Sequence, residues 1–144
     1  MIGILTLVVL LASLLSVQRG YGVKSEFPSP TISGLIESVS NPSGECLNLG
    51  LKGWYGTVTI TLSRLWIYLR NAKPNSTYII WVGYVQTGGL CKGTWLPVGS
   101  VSTDETGEGI SVQWFYPSGS YSYCVFEFKD SAGNLVYATH VLSF

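Results

Sequence analysis

His140 is the single histidine of the chain, so any Ser-His-Asp relay would have to run through it. It falls in a segment that alternates like a strand, beside Ala138 and Leu142. No G-x-S-x-G turn is present to raise a serine nucleophile. His140 therefore reads as a histidine on a sheet face, and no catalytic residue is assigned. The three cysteines, Cys46, Cys91 and Cys124, lack the C-x-x-C spacing of a zinc site, and one histidine cannot build a multi-histidine metal centre. Asp104, Glu105 and Glu108 crowd one turn in a spacing that matches no calcium loop, and they read as a solvated acidic turn. Glu127 and Asp130 flank Lys129, but nothing local sets two carboxylates across a cleft as glycoside hydrolysis needs. The expectation is a non-enzyme with no metal and no cofactor.

The aromatic residues carry the stronger hint. Trp114, Phe115, Tyr116, Tyr121 and Tyr123 gather around one turn, and Trp54, Tyr55 and Trp95 fall in expected loops or edges. Flat rings on a β-surface can stack on sugars, and exposed rings also mark protein interfaces. The binding candidates are Trp95, Trp114, Tyr116 and Tyr121. Against that stands a plain core role, with Trp114 and Tyr116 sharing an inward face with Ile110 and Val112. The formal net charge is zero and only 11% of residues are charged. A phosphate backbone demands a cationic face, so nucleic acid is excluded as a partner. Apolar residues at 47% and aromatics at 13% exclude a disordered chain.

The elements that would position these groups are strands. Residues 55–62 (YGTVTITL) alternate, with Val58, Ile60 and Leu62 on one face and Thr57, Thr59 and Thr61 on the other. Ser63-Arg64 is a tight connection into a partner strand at 65–70. Lys73-Pro74-Asn75-Ser76 is a turn into residues 77–86. Residues 95–103 form an edge or bulged strand because of Pro97. Residues 110–116, 121–129 and 135–144 complete the series, joined in part by two Asp-x-x-Gly hairpins at 104–107 and 130–133. Two strands are apolar on both faces. Leu65, Ile67 and Leu69 oppose Trp66 and Tyr68, while Tyr78, Ile80, Val82 and Tyr84 oppose Ile79, Trp81 and Val85. Their outer sides need a cover, either loops around Cys46 and Trp95 or another molecule. Turns every ~8–12 residues and about seven or eight strands predict an all-β, antiparallel sandwich, with a closed barrel as the alternative.

The segment KPNSTYIIWV, residues 73–82, resembles the turn and tyrosine corner of fibronectin type III-like domains. The resemblance implies an immunoglobulin-like β-sandwich and gives Tyr78 the hydroxyl that bonds back to the backbone. It covers about ten residues. Such domains are mostly adhesive or structural.

The N-terminus sets the compartment. Residues 2–17 are an apolar run of about 16, shorter than the ~20 of a spanning helix and placed as in a secretory signal. The first cation, Arg19, follows the run and does not precede it. The expected organisation is a signal helix at 1–22 cleaved after Gly22, a linker at 23–30 and a β-sandwich domain at 31–144. A retained membrane anchor is the alternative. The location is then extracellular or cell-surface. There, two cysteines are expected to pair and one to be left over. Cys91–Cys124 is preferred, since both fall at one end of the expected domain, and it would close a loop of about 33 residues worth ~3–4 kcal/mol. Cys46–Cys91 and three buried thiols stay open. Asn75-Ser76-Thr77 is a glycosylation sequon in a turn. The functional expectation is binding or assembly, with a self-associating surface subunit as its sharper form, a glycan-binding module as the alternative and a hydrolase using His140 as the remote one.

Overall fold

Alternating side chains and short turns resolve into an antiparallel all-β structure. The computed structural model describes residues 31–44, 47–85, 95–117 and 123–143. Its strands are β1 (Thr31–Val39), β2 (Leu51–Lys52), β3 (Gly56–Thr61), β4 (Arg64–Leu69), β5 (Thr77–Val85), β6 (Leu96–Ser102), β7 (Gly109–Trp114), β8 (Tyr123–Lys129), β9 (Leu135–Thr139) and β10 (Leu142–Ser143). No helix occurs among the described residues. The expected signal segment, its cleavage point and the linker lie outside them.

The strands follow one path, β6-β5-β8-β9-β1-β3-β4-β7, with β2 beside β1 and β10 beside β8. Strand β1 joins the two halves. Its first residues, Thr31 to Leu35, pair with β3, whereas Ile36 to Ser38 pair with β9. Gly34 sits just before this change of partner. A Cβ there would lie 2.4 Å from Leu142, so the missing side chain lets β10 close over β1. The two ends of the path, β6 and β7, also meet. Ser111 Oγ donates to the Ser100 carbonyl at 2.7 Å and Gln113 Nε2 donates to the same oxygen at 3.2 Å. The sheet therefore curls until it is nearly a barrel, sealed at β6/β7 by side chains. The all-β, antiparallel part of the expectation is thus met, in a sheet that comes close to the alternative barrel.

Inside lie Val58 and Ile60 of β3, Leu65, Ile67 and Leu69 of β4, Tyr78, Ile80 and Val82 of β5, and Cys124, Phe126 and Phe128 of β8. Period-two placement is obeyed in each. Two buried threonines are partnered by the fold. Thr139, fully buried, accepts the Phe126 N–H at 3.1 Å through Oγ1. Thr103 Oγ1 donates to the Lys73 carbonyl at 2.7 Å.

Three details depart from the sequence reading. Leu62 does not face inward with Val58 and Ile60. It is the first central residue of the β3–β4 turn, 75% exposed, with φ of 55°, because Thr61 already pairs with Arg64. The long last strand is broken in two: between Glu127↔Ala138 and Cys124↔Leu142 the last segment carries one more residue than β8, and the chain bulges at His140 and Val141. The strand nature of 31–39 was not legible, since its burial changes character midway as it changes partner. Strand β6 does lie at an end of the path, with an irregularity opposite Ile80 and Trp81 at the level of Pro97. Both Asp-x-x-Gly hairpins form alike. Asp104 Oδ1 accepts from the Thr106 and Glu108 N–H groups, and Asp130 Oδ1 from those of Ala132 and Asn134. Gly107 and Gly133 supply the positive φ.

Candidate binding surfaces

Strands β4 and β7 pair over their whole length, and the register places Arg64 opposite Trp114, Trp66 opposite Val112 and Tyr68 opposite Ile110. Leu65, Ile67 and Leu69 point inward, so all six of these residues point out. The face is left open: Ile110 is 74% exposed, Trp114 62% and Trp66 45%. The Arg64 guanidinium sits 4.0 Å from the Trp114 ring centroid. The Trp114 and Tyr116 rings are parallel within 2°, their centroids 6.3 Å apart. Trp66 is pinned at its far edge, its Nε1 donating to Thr61 Oγ1 at 2.9 Å. Beside this apolar strip run the hydroxyls of β3 and β1, with Ser33 and Thr59 3.4 Å apart.

The core role for Trp114 and Tyr116 is therefore wrong, and the reason is local. Strand β7 lies where the sheet nearly closes. Its inner row, Ser111 and Gln113, is spent on the Ser100 carbonyl of β6. That turns Ile110, Val112 and Trp114 outward. Phe115, one residue on, is the aromatic that enters the core, edge-on to Phe126 at 5.4 Å.

Trp95 lies on the opposite half. Its ring covers Gly83, where a Cβ would come within 2.6 Å of it, and packs against buried Val85 and Val125. This is the expected cover for one outer side of β5. Trp54 is paired separately with Arg70, 4.4 Å from its ring. Tyr121 lies outside the described residues.

Cys124 is a free thiol, fully buried on the inward row of β8. Burial pushes its pKa up to about 12. The sequence reading made it half of a disulfide; its expected partner Cys91, and Cys46, lie outside the described residues. Asn75 of the sequon is exposed at its turn with φ of 51°. The acidic turn spends Asp104 on its own backbone, and that bonding, led by the Thr106 hydroxyl, holds the carboxyl below its usual range. Among the described residues no group of three or more metal-ligating side chains comes together. His140 Nε2 lies 2.9 Å from Glu37 Oε2 on the surface. Tyr78, to which the resemblance gives a hydroxyl bonded back to the backbone, is buried, and its ring packs edge-on against Tyr137 at 5.3 Å.

The sequence reading passed over Trp81 and Glu127 as a pair. They are cross-strand neighbours on the outer side of β5 and β8. The signal was present: Glu127 is the one acid in the otherwise apolar run of β8.

No protein-family model matches this chain, and no curated protein matches it in sequence.

Proposed function

We propose that the protein is a non-enzymatic β-sandwich of the extracellular space or cell surface that works in binding or assembly, copies of it associating through the outer face of β4 and β7. The observation that carries this reading is the row of exposed apolar cross-strand pairs, Trp66 with Val112 and Tyr68 with Ile110, closed off by Trp114. Contiguous apolar faces of this kind mark interaction sites. A second copy suits the face for two reasons. The chain carries no net charge, so copies do not repel at long range. The one charge of the strip, Arg64, is already held against Trp114. Two such faces can stack like the layers of a sandwich, about 10 Å apart.

Export as a cleaved-signal protein follows from the N-terminal apolar run. An immunoglobulin-like arrangement is the finer fold reading. The order β9-β8-β5-β6 follows the G-F-C-C′ order of variable-type immunoglobulin sheets, with β3, β4 and β7 opposite. The glycan-binding alternative draws its support from the opposite half, where two tryptophans line a cleft.

The test is the variant Trp66→Ala/Trp114→Ala. Both side chains are exposed, so folding is retained. Two interface aromatics at about 2 kcal/mol each weaken association by more than about 100-fold, leaving monomers where the parent assembles. Equal assembly of parent and variant by light scattering contradicts the proposal.

A further inference from the structure

The outer side of β5, β8 and β9 holds a second constellation, independent of the assembly face. An open cleft of about 670 Å³ is lined by Trp81, Trp95, Glu127, Lys129 and Asn134, with the 42–44 turn along one side. Its volume falls within the ~300–1,000 Å³ of small-ligand sites.

The position of each group follows from the sheet. Phe126 and Phe128 point inward, so Glu127 and Lys129 point out into the cleft. Trp81 is the cross-strand neighbour of Glu127. Trp95 is held flat against the sheet by the absence of a side chain at Gly83 and by Val85 and Val125 beneath. Asn134 comes from the β8–β9 hairpin, whose Asp130 fixes it by accepting its N–H at 2.8 Å.

Glu127 is the informative residue. It is 7% exposed, yet among the described residues no hydrogen bond or ion pair satisfies its carboxylate. Burial raises its pKa, and the Lys129 charge opposes that only in part. A carboxylate partly desolvated in the wall of an open cleft, with no protein partner there among the described residues, is a functional candidate. The cleft's other groups say what would satisfy it. Two indole faces offer platforms for flat C–H surfaces. The Lys129 ammonium, 5.2 Å from the Trp81 ring centroid, already occupies the cation position over that ring. It disfavours a cationic ligand and offsets the charge of Glu127, which disfavours an anion less but leaves no net cation to attract one. A neutral ligand with C–H faces and many hydroxyls fits both the rings and the hydrogen-bonding groups.

We infer that this cleft binds a neutral oligosaccharide, with Trp81 and Trp95 stacking on sugar rings, Glu127 accepting from ring hydroxyls, and Lys129 and Asn134 donating to them. The open shape suits a chain passing through the cleft. This inference stands whether or not copies of the protein assemble, because the two faces share no residue.

The experiment titrates the full chain, as its host makes it, with cellohexaose, mannohexaose and chitohexaose. Binding is followed by tryptophan fluorescence and calorimetry up to about 5 mM, the range of weak sites. Saturable binding of at least one saccharide is expected, weakened about tenfold or more by Trp81→Ala and by Glu127→Gln, equivalent to ~1.4 kcal/mol. Leu62→Gly, in the exposed β3–β4 turn and outside both surfaces, keeps the parent affinity. Circular dichroism confirms that each variant is folded, and Trp81→Phe supplies a milder change at the same position. Absence of saturable binding to all three saccharides overturns the inference. So does binding that survives both Trp81→Ala and Glu127→Gln, or preferential binding of tetramethylammonium.

Discussion

Leu62 shows how a single residue can conflict with the turn it occupies. The β3–β4 hairpin has two central residues, and Leu62 takes the first with φ of 55°. A left-handed conformation costs a side-chain-bearing residue about 1–2 kcal/mol. Glycine suits the first central position of a two-residue hairpin turn of the II′ kind. Leu62 is largely exposed, so replacing it forfeits little burial. Leu62→Gly should therefore raise stability by about 0.5–1 kcal/mol after the greater freedom of glycine in the unfolded chain is counted. Urea unfolding checks this, and a loss of stability would show that Leu62 contributes contacts the turn geometry does not reveal. Glu127 makes a pH-dependent case. Its folded-state pKa lies above the ordinary value of 4.5 because of burial. Below about 4.5 the side chain is protonated in both states and the penalty is absent; above the raised folded value the penalty is present in full. Glu127→Gln should stabilise the protein at pH 7 and lose that advantage near pH 4, read from melting temperatures across that range. The same substitution should weaken saccharide binding, a trade of stability against function.

Among the elements, the β9–β10 bulge is where backbone bonding depends on a side chain. Strand β8 is paired by β9 up to Ala138 and by β10 from Leu142. At the interruption, the Phe126 N–H finds Thr139 Oγ1 in place of a carbonyl. Thr139→Val keeps the shape and removes that acceptor, leaving a buried N–H unsatisfied. A loss of about 1–3 kcal/mol is expected in chemical denaturation, and no loss would mean another acceptor reaches Phe126. Elements also show what a sequence can disclose. Strands β3, β4 and β5 were readable because period-two apolar rows met turn residues at both ends, and the two hairpins because Asp and Gly each have one mechanical part to play there. The inward row of β7 was misread because polarity pattern assumes that the inner side of a strand meets a core. Here it meets the Ser100 carbonyl of β6, a pairing separated by the whole hairpin geometry and invisible locally. For the same reason β1 was missed: half of its residues answer to β3 and half to β9.

At the level of the whole molecule, the nearly closed sheet divides its outer surface by chemistry. One side, built on β4 and β7, exposes apolar pairs with a single arginine held against a ring. The other, built on β5 and β8, gathers two tryptophans, an acid and a lysine around a cleft. Aromatic content alone pointed to binding but not to either surface, because which rings are exposed depends on how the sheet closes. The doubly apolar strands were the better clue. Of their two outer sides, that of β5 is covered by Trp95 at Gly83 and Val85, whereas that of β4 continues into the open row of β7. An exported assembly subunit is the account that joins this open face to the N-terminal apolar run and the absence of net charge. The most direct measurement is the mass and oligomeric state of the protein recovered from the extracellular fraction of its host, by intact mass spectrometry and light scattering. The account predicts chains lacking residues 1–22 in a stable multimer; a strictly monomeric protein at high concentration would contradict it.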